Sequence, residues 1–390
     1  YYERFWRKGL YARRTFEQML STYLNLSIVN FAADNLAETE KYQQKSFIAL
    51  QQWEEKNGLE QWNGDLIILR SRIFLQSARV YEKKQNLAEA DIWYSKASMI
   101  LTNDKEKLPS KEFGFTSCKI YRMRGNAATR NKAWDSAERW LKKARKIAEV
   151  YELSNAAIDS RLEYAMCYVN LAQMHEQQNK LELARKELYD CFNFYIHIRD
   201  QIKNPNEEAV FAGVILDLMS IAIKQNKIKE MENWCEQFRI LFSDLEKFCK
   251  IDKTRFVKTL QSASLYLGQQ LCKNQNFDRG IQYYEMCFEL QNQYKIAINE
   301  SLEMDVRGAM ASVYDKLGDY AKLNGDIHEA KEYYEKGIFQ CKIYLDWREQ
   351  ENIRMLMGLQ YQKIGELASL DNCHRESIAA FRKSVESFEP

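Results

Sequence analysis

Proline is almost missing from this chain, which has three in 390 residues, at Pro109, Pro205 and Pro390. Glycine is scarce as well, at 14. Proline breaks helices and glycine weakens them, so their scarcity beside plentiful Leu, Ala, Glu, Lys and Gln favours helix and disfavours sandwiches, barrels and disorder. Long apolar runs are also lacking. The best is AVFAGVIL, Ala209 to Leu216, well short of the ~18 residues that span a bilayer, and no secretory leader is expected. No membrane partner is expected.

The nine cysteines form no CxxC pair, and Cys191, Cys235 and Cys287 fall where the pattern below wants buried side chains, so reduced core thiols in a cytoplasmic protein are expected. His175, His197, His328 and His374 have no metal-ligand spacing, and no metal site is expected. Phosphate-loop, nucleophile-elbow, HExxH and dinucleotide-type glycine motifs are absent. Paired acids such as Glu332/Glu335 or Asp315/Asp319 sit at helical spacing and read as solvated faces. The chain is expected to be neither an enzyme nor a cofactor binder.

What is present is a repeat. KLGDYAKLNGDIHEAKEYYEKG, Lys316 to Gly337, reads as two helices and a tight turn, with small residues Gly318 and Ala330 twelve apart. The same offset links Ser27 to Thr39, Ala78 to Ala90, Gly125 to Ala137 and Ala172 to Ala184. It also links Met219 to Met231, Gly268 to Gly280 and Gly365 to Ser377. Four residues past each second member stand Gln43, Tyr94, Leu141, Leu188, Cys235, Tyr284, Tyr334 and Phe381. Three further on stand Ser46, Ala97, Ala144, Cys191, Phe238, Cys287, Gly337 and Ser384. Spacing of i, i+4, i+7 is one face of a helix, and facing small residues let two helices approach closely. An asparagine precedes each second-helix small residue (Asn35, Asn86, Asn131, Asn179, Asn226, Asn276, Asn324, Asn372), which suits a left-handed turn or a helix cap. An ordinary bundle has no reason to repeat such a code eight times.

The code resembles the tetratricopeptide repeat, with a small residue in each helix and a bulky one early in the first (Tyr23, Tyr121, Tyr168, Tyr314, Tyr361). The A-x3-Y-x2-A run of Ala90, Tyr94 and Ala97 carries the likeness further. Successive second-helix small residues lie 51, 47, 47, 47, 49, 50 and 47 apart, against roughly 34 in the usual repeat. The inserts are expected to lengthen both helices. The expected fold is all-α, a right-handed α-solenoid of about eight elongated hairpins forming one array over residues 1–390. A break is expected near Glu246–Thr254. YYERFWRKGLYARR reads as mid-helix, as in a piece of a longer polypeptide.

The resemblance implies that first helices line a concave groove, and there the charge is segregated. Lys111 to Lys146 holds eleven Lys/Arg against three Asp/Glu, a net of +8, whereas the whole chain is +2. Candidate partner-binding residues are Arg72, Arg79, Lys83, Lys119, Arg122, Asn126, Arg130 and Asn170. Arg122, Asn126 and Asn170 resemble part of the carboxylate clamp with which some tetratricopeptide domains hold a peptide terminus, although Gly213 and Asp217 stand where more basic residues should follow. The expected function is a non-catalytic recognition module, scaffold or ligand sensor that binds an acidic protein or peptide segment. One alternative is the sensor arm of a STAND-type signalling ATPase. Another is nucleic-acid binding through the basic third repeat, disfavoured by a pI near 8.0 and by eleven acids against six bases from Gly280 to Lys336.

Overall fold

A computed structural model describes residues 13–58, 62–202, 204–241, 253–294 and 300–388. Among them are sixteen α-helices and no strand. They pair as hairpins: α1 (Arg13–Ala32) with α2 (Leu36–Asn57), α3 (Gly64–Lys83) with α4 (Leu87–Asn103), α5 (Ser110–Arg130) with α6 (Trp134–Val150), and α7 (Ile158–Gln177) with α8 (Leu181–His197). There follow α9 (Pro205–Lys224) and α10 (Ile228–Leu241), α11 (Lys253–Lys273) and α12 (Phe277–Tyr294), α13 (Glu300–Leu323) and α14 (Ile327–Trp347), and α15 (Glu351–Leu370) and α16 (His374–Phe388). The chain divides into two compact units, Tyr1–Val214 and Ile215–Pro390. The expected break at Glu246–Thr254 falls mostly outside the described residues.

Within each unit the packing is that of an α-solenoid. A first helix touches its own second helix, the second helix before it, and the next first helix, as α3 does with α4, α2 and α5, and α13 with α14, α12 and α15. First helices therefore form a continuous face in each unit. No single hairpin can bury its apolar stripe alone, so stability comes from stacking.

The repeat code is the contact surface. All sixteen small positions are buried, from Ser27 and Thr39 through Gly365 and Ser377. A Cβ on Gly125 would lie 2.6 Å from Leu141, and one on Gly365 would lie 2.9 Å from Phe381. On Gly268 and Gly318 it would collide with the rings of Tyr284 and Tyr334. In these four hairpins the glycine of the first helix thus seats the bulky residue sixteen positions on. Only in the last hairpin is that bulky residue exposed, Phe381 at 39%. Two of the early tyrosines stack on the residue nineteen further on, Tyr121 on Trp140 with centroids 5.5 Å apart and Tyr314 on Tyr333 at 6.4 Å.

The turns correct one expectation. Each hairpin has a residue of positive φ five positions before the second-helix small residue, but asparagine holds it only at Asn179, Asn226 and Asn372. Elsewhere it is Asp34, Gln85, Lys132, Gln275 or Gly325. Asn35 and Asn86 instead cap the following helix, accepting from the N–H of Glu38 and Glu89 at 3.2 Å. Backbone geometry is repeated more faithfully than the residue that adopts it.

The long spacing is accounted for in two places. Helices α5 and α6, of 21 and 17 residues, together already exceed a 34-residue unit. The remainder forms connectors containing short 3-10 turns at Lys105–Lys107, Leu153–Asn155 and Arg199–Gln201. Seven of the eight described cysteines are buried and none of the eight is in a disulfide, as expected for core thiols. Burial pushes the Cys235 and Cys341 thiols up to about 12.

Candidate functional site

All eight sequence-nominated residues lie in the unit Tyr1–Val214, on three consecutive first helices. Arg72, Arg79 and Lys83 come from α3; Lys119, Arg122, Asn126 and Arg130 from α5; Asn170 from α7. Helices α3 and α5 are long and amphipathic, and steps of three and four residues carry Arg72, Arg79 and Lys83, or Lys119, Arg122, Asn126 and Arg130, along one side.

The side chains are not equally available. The Arg122 guanidinium is bidentate on Glu163 of α7, with Nε donating to Oε2 at 2.6 Å and Nη2 to Oε1 at 3.0 Å. Both partners are nearly buried, at 12% and 10% side-chain exposure. Burial works against the Arg122 charge, yet the attraction and hydrogen bonds of Glu163 raise its pKa on balance. Lys119 stands 3.9 Å from the same carboxylate. Arg130 donates to Glu82 at 2.8 Å, and Lys83 pairs with Asp34 and donates to the Phe31 carbonyl at 3.4 Å.

Other cations keep spare capacity. Arg79 lies 4.7 Å over the Phe31 ring and donates to Gln76 at 3.0 Å, and Arg72 is exposed. Burial lowers the Lys119 pKa despite Glu163, aided by repulsion from Arg122, Arg72 and Arg79. Burial likewise lowers Arg79. Four like charges therefore share one neighbourhood, with Glu163 answering only part of them. Such a cluster lowers its own energy by taking an anion, through charge-assisted hydrogen bonds that guanidinium groups make best.

Asn126 is partly buried beside this cluster on α5. Asn170 is only 2% exposed, and its Oδ1 is buried without a hydrogen-bond partner. Reading the basic face from the sequence omitted Glu163, Glu82 and Asp34. The available signal was periodic: Arg122 and Glu163 are separated by 41 residues, and Glu82 and Arg130 by 48, close to one repeat. Arg161 and Glu207 follow the same rule 46 apart, joined by bonds of 2.8 and 2.9 Å. Among the described residues no group of histidines, cysteines and carboxylates could hold a metal ion, and no helix is long and apolar enough to cross a membrane.

Residues 311–338 match the tetratricopeptide repeat family model. That segment holds Gly318, Ala330, Tyr334 and Gly337 of the code. No curated protein matches the chain. Among solved structures, the apo form of RapI is similar at 13% identity and a TM-score of 0.44, over 71% of this chain and 98% of that one. A STAND protein with a tetratricopeptide repeat sensor from Pyrococcus horikoshii is 13% identical with a TM-score of 0.42, over 97% of this chain and 53% of that one. Aspartyl phosphate phosphatase F from Bacillus subtilis is 9% identical with a TM-score of 0.43, over 97% of this chain and 95% of that one. Likeness at this level says nothing of what the present chain binds.

Proposed function

We propose that this chain, of which residues 311–338 match the tetratricopeptide repeat model, is a non-catalytic recognition module that holds an acidic protein or peptide segment against the first helices α3 and α5. The observation that carries the reading is the surplus of cations there. Lys119 and Arg122 share one carboxylate, Glu163, and Arg72 and Arg79 add their repulsion to Lys119. Like charges repel, and solubility alone does not require them to share a face. An acidic side chain or a terminal carboxylate would relieve that repulsion where burial lowers the screening by water. Arg122 itself is committed to Glu163, so it positions the site, while Arg72, Arg79 and Lys119 are the groups that would meet the partner. Asn126 is close enough along α5 to add an amide contact.

The interleaved carboxylates Glu82, Glu163 and Asp34 make this a poor track for a long polyanion, which favours a peptide over nucleic acid. The test is binding to a peptide library that contrasts Glu/Asp-rich with Lys-rich sequences. The parent should select acidic peptides, and Arg72→Glu combined with Lys119→Gln should weaken them about tenfold or more while leaving helical content unchanged. Equal binding by parent and variant at low salt would refute the reading, because screening is weakest there.

A further inference from the structure

We propose that the second hairpin carries a separate small-molecule site, between the start of α3 and the end of α4, that takes a small apolar carboxylic acid. A cavity of about 420 Å³ opens there, within the range of roughly 300–1,000 Å³ that ligand pockets occupy. Trp62, Ile67, Phe74 and Ile100 give it an apolar wall, with Arg70, Lys96 and Lys107 as its cations. The Arg70 guanidinium lies between two of those rings, 4.7 Å from the centroid of Trp62 and 5.6 Å from that of Phe74.

Two features say what kind of occupant would fit. The first is hydrogen bonding: the indole N–H of Trp62 and the Nε–H of Arg70 are both buried without a partner, and Trp62 is only 5% exposed. Both are donors, and buried donors need acceptors. The occupant must therefore present acceptor oxygens and need not present a donor. The second is charge. Glu54 stands 3.4 Å from Arg70, and Asp104 is taken by Lys107 at 2.9 Å. Lys96, whose ammonium rests 4.3 Å over the Trp93 ring, has no carboxylate among the described residues. One positive charge is thus left over at the mouth.

A monoanion with two acceptor oxygens and an apolar body meets these requirements together. Its carboxylate would accept from the Trp62 indole and Arg70, with Lys96 balancing the charge, and its body would lie against Phe74 and Ile100. Arg70 and Arg72 are two residues apart, so they point to different sides of α3. The site is independent of the acidic-peptide face, and either can fail without the other.

The experiment is a titration of the full chain, labelled with nitrogen-15, with phenylacetate and its uncharged isostere phenylacetamide, following the Trp62 indole resonance assigned by its loss in Trp62→Phe. Phenylacetate should shift that resonance saturably, and phenylacetamide should bind about tenfold more weakly. Lys96→Ala, a change at an exposed residue, should weaken phenylacetate several-fold with no change in the circular dichroism spectrum. An unmoved indole, equal binding of acid and amide, or shifts scattered over the surface that Lys96→Ala leaves unaltered would each overturn the proposal.

Discussion

Gly125 and Gly213 both lie inside first helices, yet they should respond oppositely to alanine. A Cβ at Gly125 meets Leu141 at 2.6 Å, whereas at Gly213 nothing lies within 4 Å. Gly125→Ala should cost about 1–3 kcal/mol through overpacking, and Gly213→Ala should gain about 0.5–1 kcal/mol from helix propensity. Urea titration of both variants checks the pair, and equal effects would deny the packing role of the code. The small positions were legible in the sequence because their offset never varies. Their burial partners were legible for the same reason. The carboxylates that pair with part of the basic face were not, since a cation's partner one repeat away leaves no local pattern.

His175 allows a second test at this scale. It is 4% exposed in the last turn of α7, and burial, opposed by Glu138, holds its pKa below the usual histidine value of 6.5. Lys180, Lys142 and Arg145 push it the same way. The folded protein therefore prefers neutral His175, while the unfolded chain takes up a proton once the pH drops below about 6.5. Stability from this group is present above that pH and is lost as the pH falls towards the depressed folded value. The urea midpoint of the parent should fall faster than that of His175→Gln between about pH 7 and 5.5. Parallel curves would show that His175 protonates as easily folded as unfolded.

At the scale of elements, ion pairs one repeat apart tie successive hairpins together. Arg122 of α5 and Glu163 of α7 are the most enclosed pair of the candidate site, and a lone buried charge is far costlier than the pair. Glu163→Ala should therefore lower stability by about 3–5 kcal/mol, while Arg122→Met with Glu163→Leu should be nearly neutral. Thermal unfolding of the two variants separates these outcomes, and a mild effect of Glu163→Ala would place the pair in water. The hairpins themselves were easy to read, because helix length and turn position follow from the period. The turn residue was not, since Lys132 and Gln85 adopt a left-handed backbone that local preference disfavours. There, packing of the two flanking helices overrides the propensity of one residue.

At the scale of the whole molecule, the central claim is that first helices of the Tyr1–Val214 unit read an acidic segment through cations that their own carboxylates leave unanswered. Fold class was legible because a solenoid writes its contacts into the sequence period by period. The choice of face depends on which charges find partners, and that is decided by side chains 41–48 residues apart. Hydrogen exchange with and without the most tightly bound acidic peptide tests the claim directly. The account predicts slowed exchange in Gly64–Lys83 and Ser110–Arg130, and protection confined to the second helices Leu87–Asn103 and Trp134–Val150 would contradict it.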